Sequence, residues 1–196
     1  VAFRVNPDVD ARTQPYISTG LKGNKFGIAY TDAERVYRDA SGRTSIRVTG
    51  IGCHIGSQLT SASPFVDAAG RVLALVQRLE KAGIPLEHID LGGGFGIRYR
   101  DESPAAIGEF LDGALGVLAG RREMLIVDPG RAIVGEAGLL LSRIEYVKPG
   151  ETKNFVIGDA AMNDLIRPAL YDAWHDVLPV RQPESGAPSG VRSEEH

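Results

Sequence analysis

Four clusters of glycine, charged and amide residues, each directly behind a short apolar run, constrain this chain most strongly. They read His54-Ile55-Gly56-Ser57-Gln58, Gly92-Gly93-Gly94-Phe95-Gly96, Asp128-Pro129-Gly130-Arg131 and Gly158-Asp159-Ala160-Ala161-Met162-Asn163-Asp164. The runs before the first three are predicted strands at Ile46–Ile51, Ile89–Leu91 and Met124–Val127, with an earlier strand at Ala2–Val5. The polar stretch from Asn6 to Lys25 reads as loop. Helical patterns separate the strands. Thr31-Asp32 starts a segment reaching about Ala40. Ser63-Pro64 places a capping hydroxyl ahead of a proline at the first helical position. Phe65, Ala69, Val72, Leu73, Val76 and Leu79 then recur at three and four, and Gly83 stops them. Ser103-Pro104 repeats the start signal, with Ile107, Phe110, Leu111, Ala114, Leu115 and Leu118 as the stripe. Alternating strands and helices predict four parallel strands with helical crossovers, an α/β fold. In a (β/α) barrel the functional groups gather at the carboxyl ends of the strands, so three of the clusters would converge.

After Arg131 the pattern changes. Leu139–Val147 is long and β-prone, Lys148-Pro149-Gly150-Glu151 is a turn, and Asn154–Ile157 is a return strand. That hairpin predicts a second, antiparallel domain over 134–181, after a first domain at 1–133. Met162–Tyr171 is a candidate short helix broken by Pro168, and 182–196 is a polar tail expected to be disordered. Lys and Arg number 22 against 25 Asp and Glu, so no basic excess marks a nucleic-acid binder. No apolar run approaches the roughly 18–20 residues of a membrane span. No secretory leader is visible, and the lack of an initiator Met suggests a missing start. One cysteine, Cys53, allows no internal disulfide and fits a reducing cytoplasm.

The cluster residues have more than one reading. Gly92, Gly93, Gly94 and Gly96 would let backbone amides approach a phosphate, or simply make a tight turn. The run is not a dinucleotide fingerprint, because G-x-G-x-x-G read from Gly92 meets Ile97, and from Gly94 meets Tyr99. Ser57 adds a hydroxyl to a phosphate or is a loop serine. Cys53 and His54 are strand neighbours that face opposite ways, so a nucleophilic dyad is not expected and Cys53 reads as packed. His54 alone stays open between a ligand-facing ring and an internal histidine. Asp128 and Arg131 flank Pro129-Gly130 as a capped turn or as a charged pair aimed at a barrel mouth. Arg167 and Tyr171, four apart, share a helix face, solvated or turned to a ligand. The four histidines and the cysteine show no metal-ligand spacing, so no metal is expected.

In this order, H-I-G-S-Q, G-G-G-F-G, D-P-G-R and M-N-D-L-I-R-P-A-L-Y resemble the diaminopimelate decarboxylases. R-V-N-P-D near the start and K-F-G-I at Lys25–Ile28 are similar too, so the resemblance covers about residues 3–180. It implies an alanine-racemase-like (β/α)8 barrel, of which this chain is the C-terminal half, followed by the start of an antiparallel β domain. It implies pyridoxal 5′-phosphate as cofactor, an amino-acid substrate and a homodimer. Gly92, Gly93, Gly94, Gly96 and Ser57 would hold the phosphate, and His54 would stack on the pyridine ring. Asp128 stands where the family's E-P-G-R motif has glutamate, by the ring nitrogen, one methylene shorter in reach. Gly130 belongs to the same cofactor-binding motif. Arg131 would engage substrate beside the phosphate, and Arg167 and Tyr171 would grip the substrate.

Losing carbon dioxide from an α-amino acid leaves an electron pair that a protonated pyridine ring accepts. A carboxylate at about 4 Å favours that protonation by on the order of 4 kcal/mol at an effective dielectric of 20. A guanidinium binds a second carboxylate through two hydrogen bonds, which favours diaminopimelate over ornithine or arginine. The family's Schiff-base lysine and its acid cysteine have no counterpart here, and Lys22, Lys25, Lys81, Lys148 and Lys153 lie in no matching context. The expectation is therefore a fragment with no catalytic residue of its own and no turnover alone. A related basic amino-acid or carboxynorspermidine decarboxylase and a non-catalytic barrel homologue are the alternatives.

Overall fold

A computed structural model describes residues 1–10 and 26–181. The expected loop up to Lys25 and the tail from Gln182 lie largely or wholly outside the described residues. Five strands form one parallel sheet: β1 (Ala2–Asn6), β2 (Ile28–Ala29), β3 (Gly50–Gly52), β4 (His88–Gly93) and β5 (Met124–Asp128). Their order is β2-β1-β3-β4-β5, and every pairing is parallel. Helices α1 (Tyr30–Ser41), α2 (Ser63–Lys81) and α3 (Ile107–Val117) make the crossovers. The α/β fold with a parallel sheet thus follows the alternation in the sequence, with one more strand than the four expected, because β2 is only two residues long.

The register explains both faces of the sheet. Phe3, Ile51, Ile89 and Leu125 are partners across four strands and pack into the core beneath the helices. Arg4, Gly52, Asp90 and Ile126 form the next row and therefore point to the opposite face. Phe65, Phe95 and Phe110 lock α2, the glycine run and α3 together, with ring centroids 5.0–5.8 Å apart. The predicted α2 face is buried except for Leu73, which is half-buried. On α3 Leu115 is 54% exposed, while Phe110 and Ala114 carry the contact.

Several local expectations change. β3 is confined to Gly50–Gly52, because ahead of it the chain is turned, with the Ile46 amide donating back to the Arg43 carbonyl at 3.2 Å. Ser63 does not cap α2: it lies inside the helix, and its amide donates to the Ser61 hydroxyl at 3.3 Å. α3 begins at Ile107, not beside Ser103, and the Glu109 carboxylate accepts the Ala106 amide at 3.1 Å. A short helix α4 (Gly130–Val134), unforeseen, follows Asp128-Pro129.

Contacts divide the chain into two compact units, the described residues of Val1–Ile97 with Ser103–Ala137 and those of Arg98–Glu102 with Gly138–His196. The second contains an antiparallel pair, β6 (Ile144–Lys148) and β7 (Phe155–Gly158), and a helix α5 (Arg167–Tyr171). Pro168 opens α5 rather than breaking a longer helix, because a proline in the first turn has no amide to withhold. Among the described residues no helix is long and apolar enough to cross a membrane. Truncating Phe110, which is fully buried in the aromatic cluster, to alanine should cost about 3–5 kcal/mol of unfolding free energy in urea titration.

Candidate functional site

The carboxyl ends of β1, β3, β4 and β5 surround a cavity of about 290 Å3, walled by Arg4, Gly52, Cys53, His54, Asp90, Gly92 and Asp128. That volume lies at the lower edge of the roughly 300–1,000 Å3 usual for small-ligand sites. Gly52 stands between Arg4 and Asp90 in the register, so no side chain fills the middle of the row. Arg4 donates from Nη2 to the His54 carbonyl at 3.5 Å, while its Nε is buried with no hydrogen-bond partner. A buried donor left open is costly, and a ligand acceptor would relieve it.

The glycine run brings the strand ends together. A Cβ on Gly93 would stand 1.9 Å from the Asp128 carbonyl oxygen. One on Gly94, whose φ is +91°, would stand 2.0 Å from the Gly56 carbonyl oxygen. Three amides of the run are used inside the protein: Gly92 donates to Asp90 Oδ1 at 2.8 Å, Gly93 to His54 Nδ1 at 3.3 Å, and Gly96 to the Leu59 carbonyl at 2.9 Å. The glycines are thus first a device for close backbone approach.

Burial holds the His54 imidazole below its ordinary pKa, and Arg4 pushes the same way, against the carboxylates of Asp128 and Asp90. The Gly93 amide needs an unprotonated Nδ1, so the neutral ring carries its proton on Nε2. Burial and the nearby Asp90 carboxylate push the Cys53 thiol up to about 12. Its Sγ lies 3.8 Å from the Leu91 carbonyl oxygen, as a packed thiol rather than a nucleophile.

His54, Gly92 and Asp128 are therefore brought to one cavity. Ser57, Gly93, Gly94, Gly96, Gly130 and Arg131 stand outside its wall. Arg131 is tied to the first cluster instead, donating from Nη1 to Gln58 Oε1 at 2.9 Å. Arg167 and Tyr171 belong to the second unit, where Arg167 Nη1 donates to the Tyr99 hydroxyl at 2.6 Å and its guanidinium lies 4.8 Å from that ring's centre. Sequence reasoning passed over Arg4, Asp90, Gln58 and Tyr99. For Arg4 and Asp90 a signal existed: each is a charge between two apolar residues in a strand, Phe3-Arg4-Val5 and Ile89-Asp90-Leu91. Among the described residues no group of three His, Cys, Asp or Glu side chains is placed to hold a metal ion.

Two outcomes follow from this geometry. Gly94→Ala meets both a left-handed backbone and a carbonyl oxygen, so it should destabilise by more than about 1 kcal/mol in urea titration. With its folded pKa depressed, His54 contributes stability that is complete above its unfolded value of about 6.5 and is lost as pH falls through the folded value. Between pH 7.5 and 5 the urea midpoint of the native chain should therefore drop further than that of His54→Gln.

A family model described as "Pyridoxal-dependent decarboxylase, pyridoxal binding domain" matches residues 1–135. The diaminopimelate decarboxylase of Neisseria meningitidis is 57% identical over 96% of this chain and 46% of its own length. That of Pseudomonas fluorescens is 57% identical over 96% of this chain and 45% of its own. The crystal structure of diaminopimelate decarboxylase from Helicobacter pylori complexed with L-lysine superposes with a TM-score of 0.87 at 39% identity, over 94% of this chain and 46% of that one. The chain spans about half the length of the curated relatives it matches. With its parallel sheet and most of its length matched by that model, the chain belongs to the pyridoxal-dependent decarboxylase family.

Proposed function

We propose that this chain is part of a diaminopimelate decarboxylase, which converts meso-2,6-diaminopimelate to L-lysine and carbon dioxide. The gathering of His54, Gly92 and Asp128 on one cavity carries this reading. Residues 1–133 are then the C-terminal half of an alanine-racemase-like barrel, 134–181 the start of the antiparallel β domain, and 182–196 a disordered tail. The exposure of Met124 (67%) and Ile126 (37%) on strand β5 supports the half barrel, since these apolar side chains are what the missing strands would cover. The parent enzyme is a cytoplasmic homodimer with no nucleic-acid partner.

The residues present fit pyridoxal 5′-phosphate. A neutral, flat His54 ring suits the face of a pyridine, and the Asp128 carboxylate complements a protonated ring nitrogen. Gly92, Gly93, Gly94, Gly96 and Gly130 keep the approach to a phosphate free of Cβ atoms, with Ser57 and Arg131 supplying donors. Bound there, the group supplies the sink for the electron pair left by departing carbon dioxide. The chain's own residues bind and orient that group: Asp128 holds charge by the ring, His54 excludes water from one side, and Arg131 holds an anionic oxygen. Arg167 and Tyr171 grip the substrate, where a guanidinium matches the second carboxylate that ornithine and arginine lack.

Equilibrium dialysis of the chain with pyridoxal 5′-phosphate should show one saturable site, weakened about tenfold in His54→Ala, the equivalent of about 1.4 kcal/mol. Binding unaffected by that change, or only adducts on surface lysines, would refute the cofactor site. With meso-diaminopimelate added, the isolated chain should release no lysine. Turnover by it would overturn the view that it lacks the catalytic lysine. The complete gene product should prefer meso-diaminopimelate to ornithine, arginine and carboxynorspermidine.

A further inference from the structure

Gln58 closes the first cluster and has no role in the reading above. Its φ of +58° is left-handed, a conformation that favours glycine and asparagine, so the backbone alone gives no reason for a glutamine. Its side chain uses both ends of the amide. Nε2 donates to the Ile97 carbonyl at 2.5 Å, and Oε1 accepts the Ile97 amide at 3.3 Å. The same Oε1 accepts Arg131 Nη1 at 2.9 Å. Ile97 follows the glycine run directly, and Arg131 lies in α4. One half-buried side chain therefore joins the segment after β3, the segment after β4 and the helix after β5.

We propose that Gln58 is a positioning residue for Arg131, setting the direction of its guanidinium. The two-point grip on Ile97 prevents the amide from flipping, because a flip would set Nε2 against an N–H and Oε1 against a carbonyl. The oxygen thus always faces Arg131. A guanidinium is planar with its five N–H donors in a rigid fork, so holding one nitrogen restricts where the others point. Asparagine or glycine would suit the backbone at least as well but would not reach Arg131. A mere turn residue would therefore tolerate both, and a positioning residue tolerates neither. The consequence for function rests on the reading of Arg131 as an anion-holding residue.

The test uses the whole chain, labelled with nitrogen-15, and the variants Gln58→Leu, Gln58→Asn and Gln58→Gly, with Arg131→Lys to identify the Arg131 signals. Separate Nη1 and Nη2 resonances, from hindered guanidinium rotation, are expected for the native chain. Shifted Arg131 Nη resonances are expected in all three Gln58 variants, with the asparagine and glycine variants folded by backbone amide spectra. Unchanged Arg131 resonances in those two would overturn the proposal. A second arm measures dissociation of pyridoxal 5′-phosphate. Gln58→Asn and Arg131→Met should each weaken binding about tenfold, as loss of a hydrogen bond to a charged group does, and the double variant little more than either. If Arg131→Met weakens binding and Gln58→Asn does not, the proposal fails. If Arg131→Met has no effect, the anion-holding reading fails, and the resonances still decide the part played by Gln58.

Discussion

Where β4 leaves the sheet, its backbone runs so close to its neighbours that Gly93 and Gly94 have no room for a side chain. One meets the carbonyl that ends β5, and the other meets the carbonyl of Gly56 in the segment after β3. That approach brings three strand ends within reach of one small molecule. The amide of Gly93 then orients the His54 ring, and the amide of Gly92 holds Asp90. A side chain at either glycine would push the strand ends apart and dissolve the cavity they share.

The core beneath the sheet makes this approach affordable. Phe95, inside the glycine run, is 2% exposed and sits among Phe65 and Phe110, so burial of an aromatic ring anchors a segment that glycine would otherwise leave loose. The two-residue period of the strands does the remaining sorting. Phe3, Ile51 and Ile89 go down to the helices, while Arg4 and Asp90 stay on the cavity face as a cation and an anion. Burial keeps the His54 pKa below its ordinary value at that face, with Arg4 acting the same way and the carboxylates of Asp128 and Asp90 acting against it.

Much of this was legible in the residue pattern, and the limits have physical causes. α2 could be read because its nineteen residues repeat one apolar face over several turns. The clusters behind the strands could be read because glycine and charge stand out against apolar runs. β3 could not be bounded, since the Arg43–Ile46 turn ahead of it ends inside an alternating run that reads as strand. The link from Gln58 to Arg131 spans 73 residues and leaves no periodic trace. The same holds for Arg98–Glu102, a loop segment whose Tyr99 pairs with Arg167 in the second unit. Ser63 and Pro168 carried real helix signals but marked positions inside the first turn rather than a cap or a break.

Whether the strand ends form a seat for pyridoxal 5′-phosphate is decided by a crystal structure of the chain grown with that compound. Density is expected for the ring against His54, its nitrogen towards Asp128 and its phosphate by the glycine run and Arg131. The compound bound elsewhere on the chain, with the cavity between β3, β4 and β5 filled only by water, would contradict it.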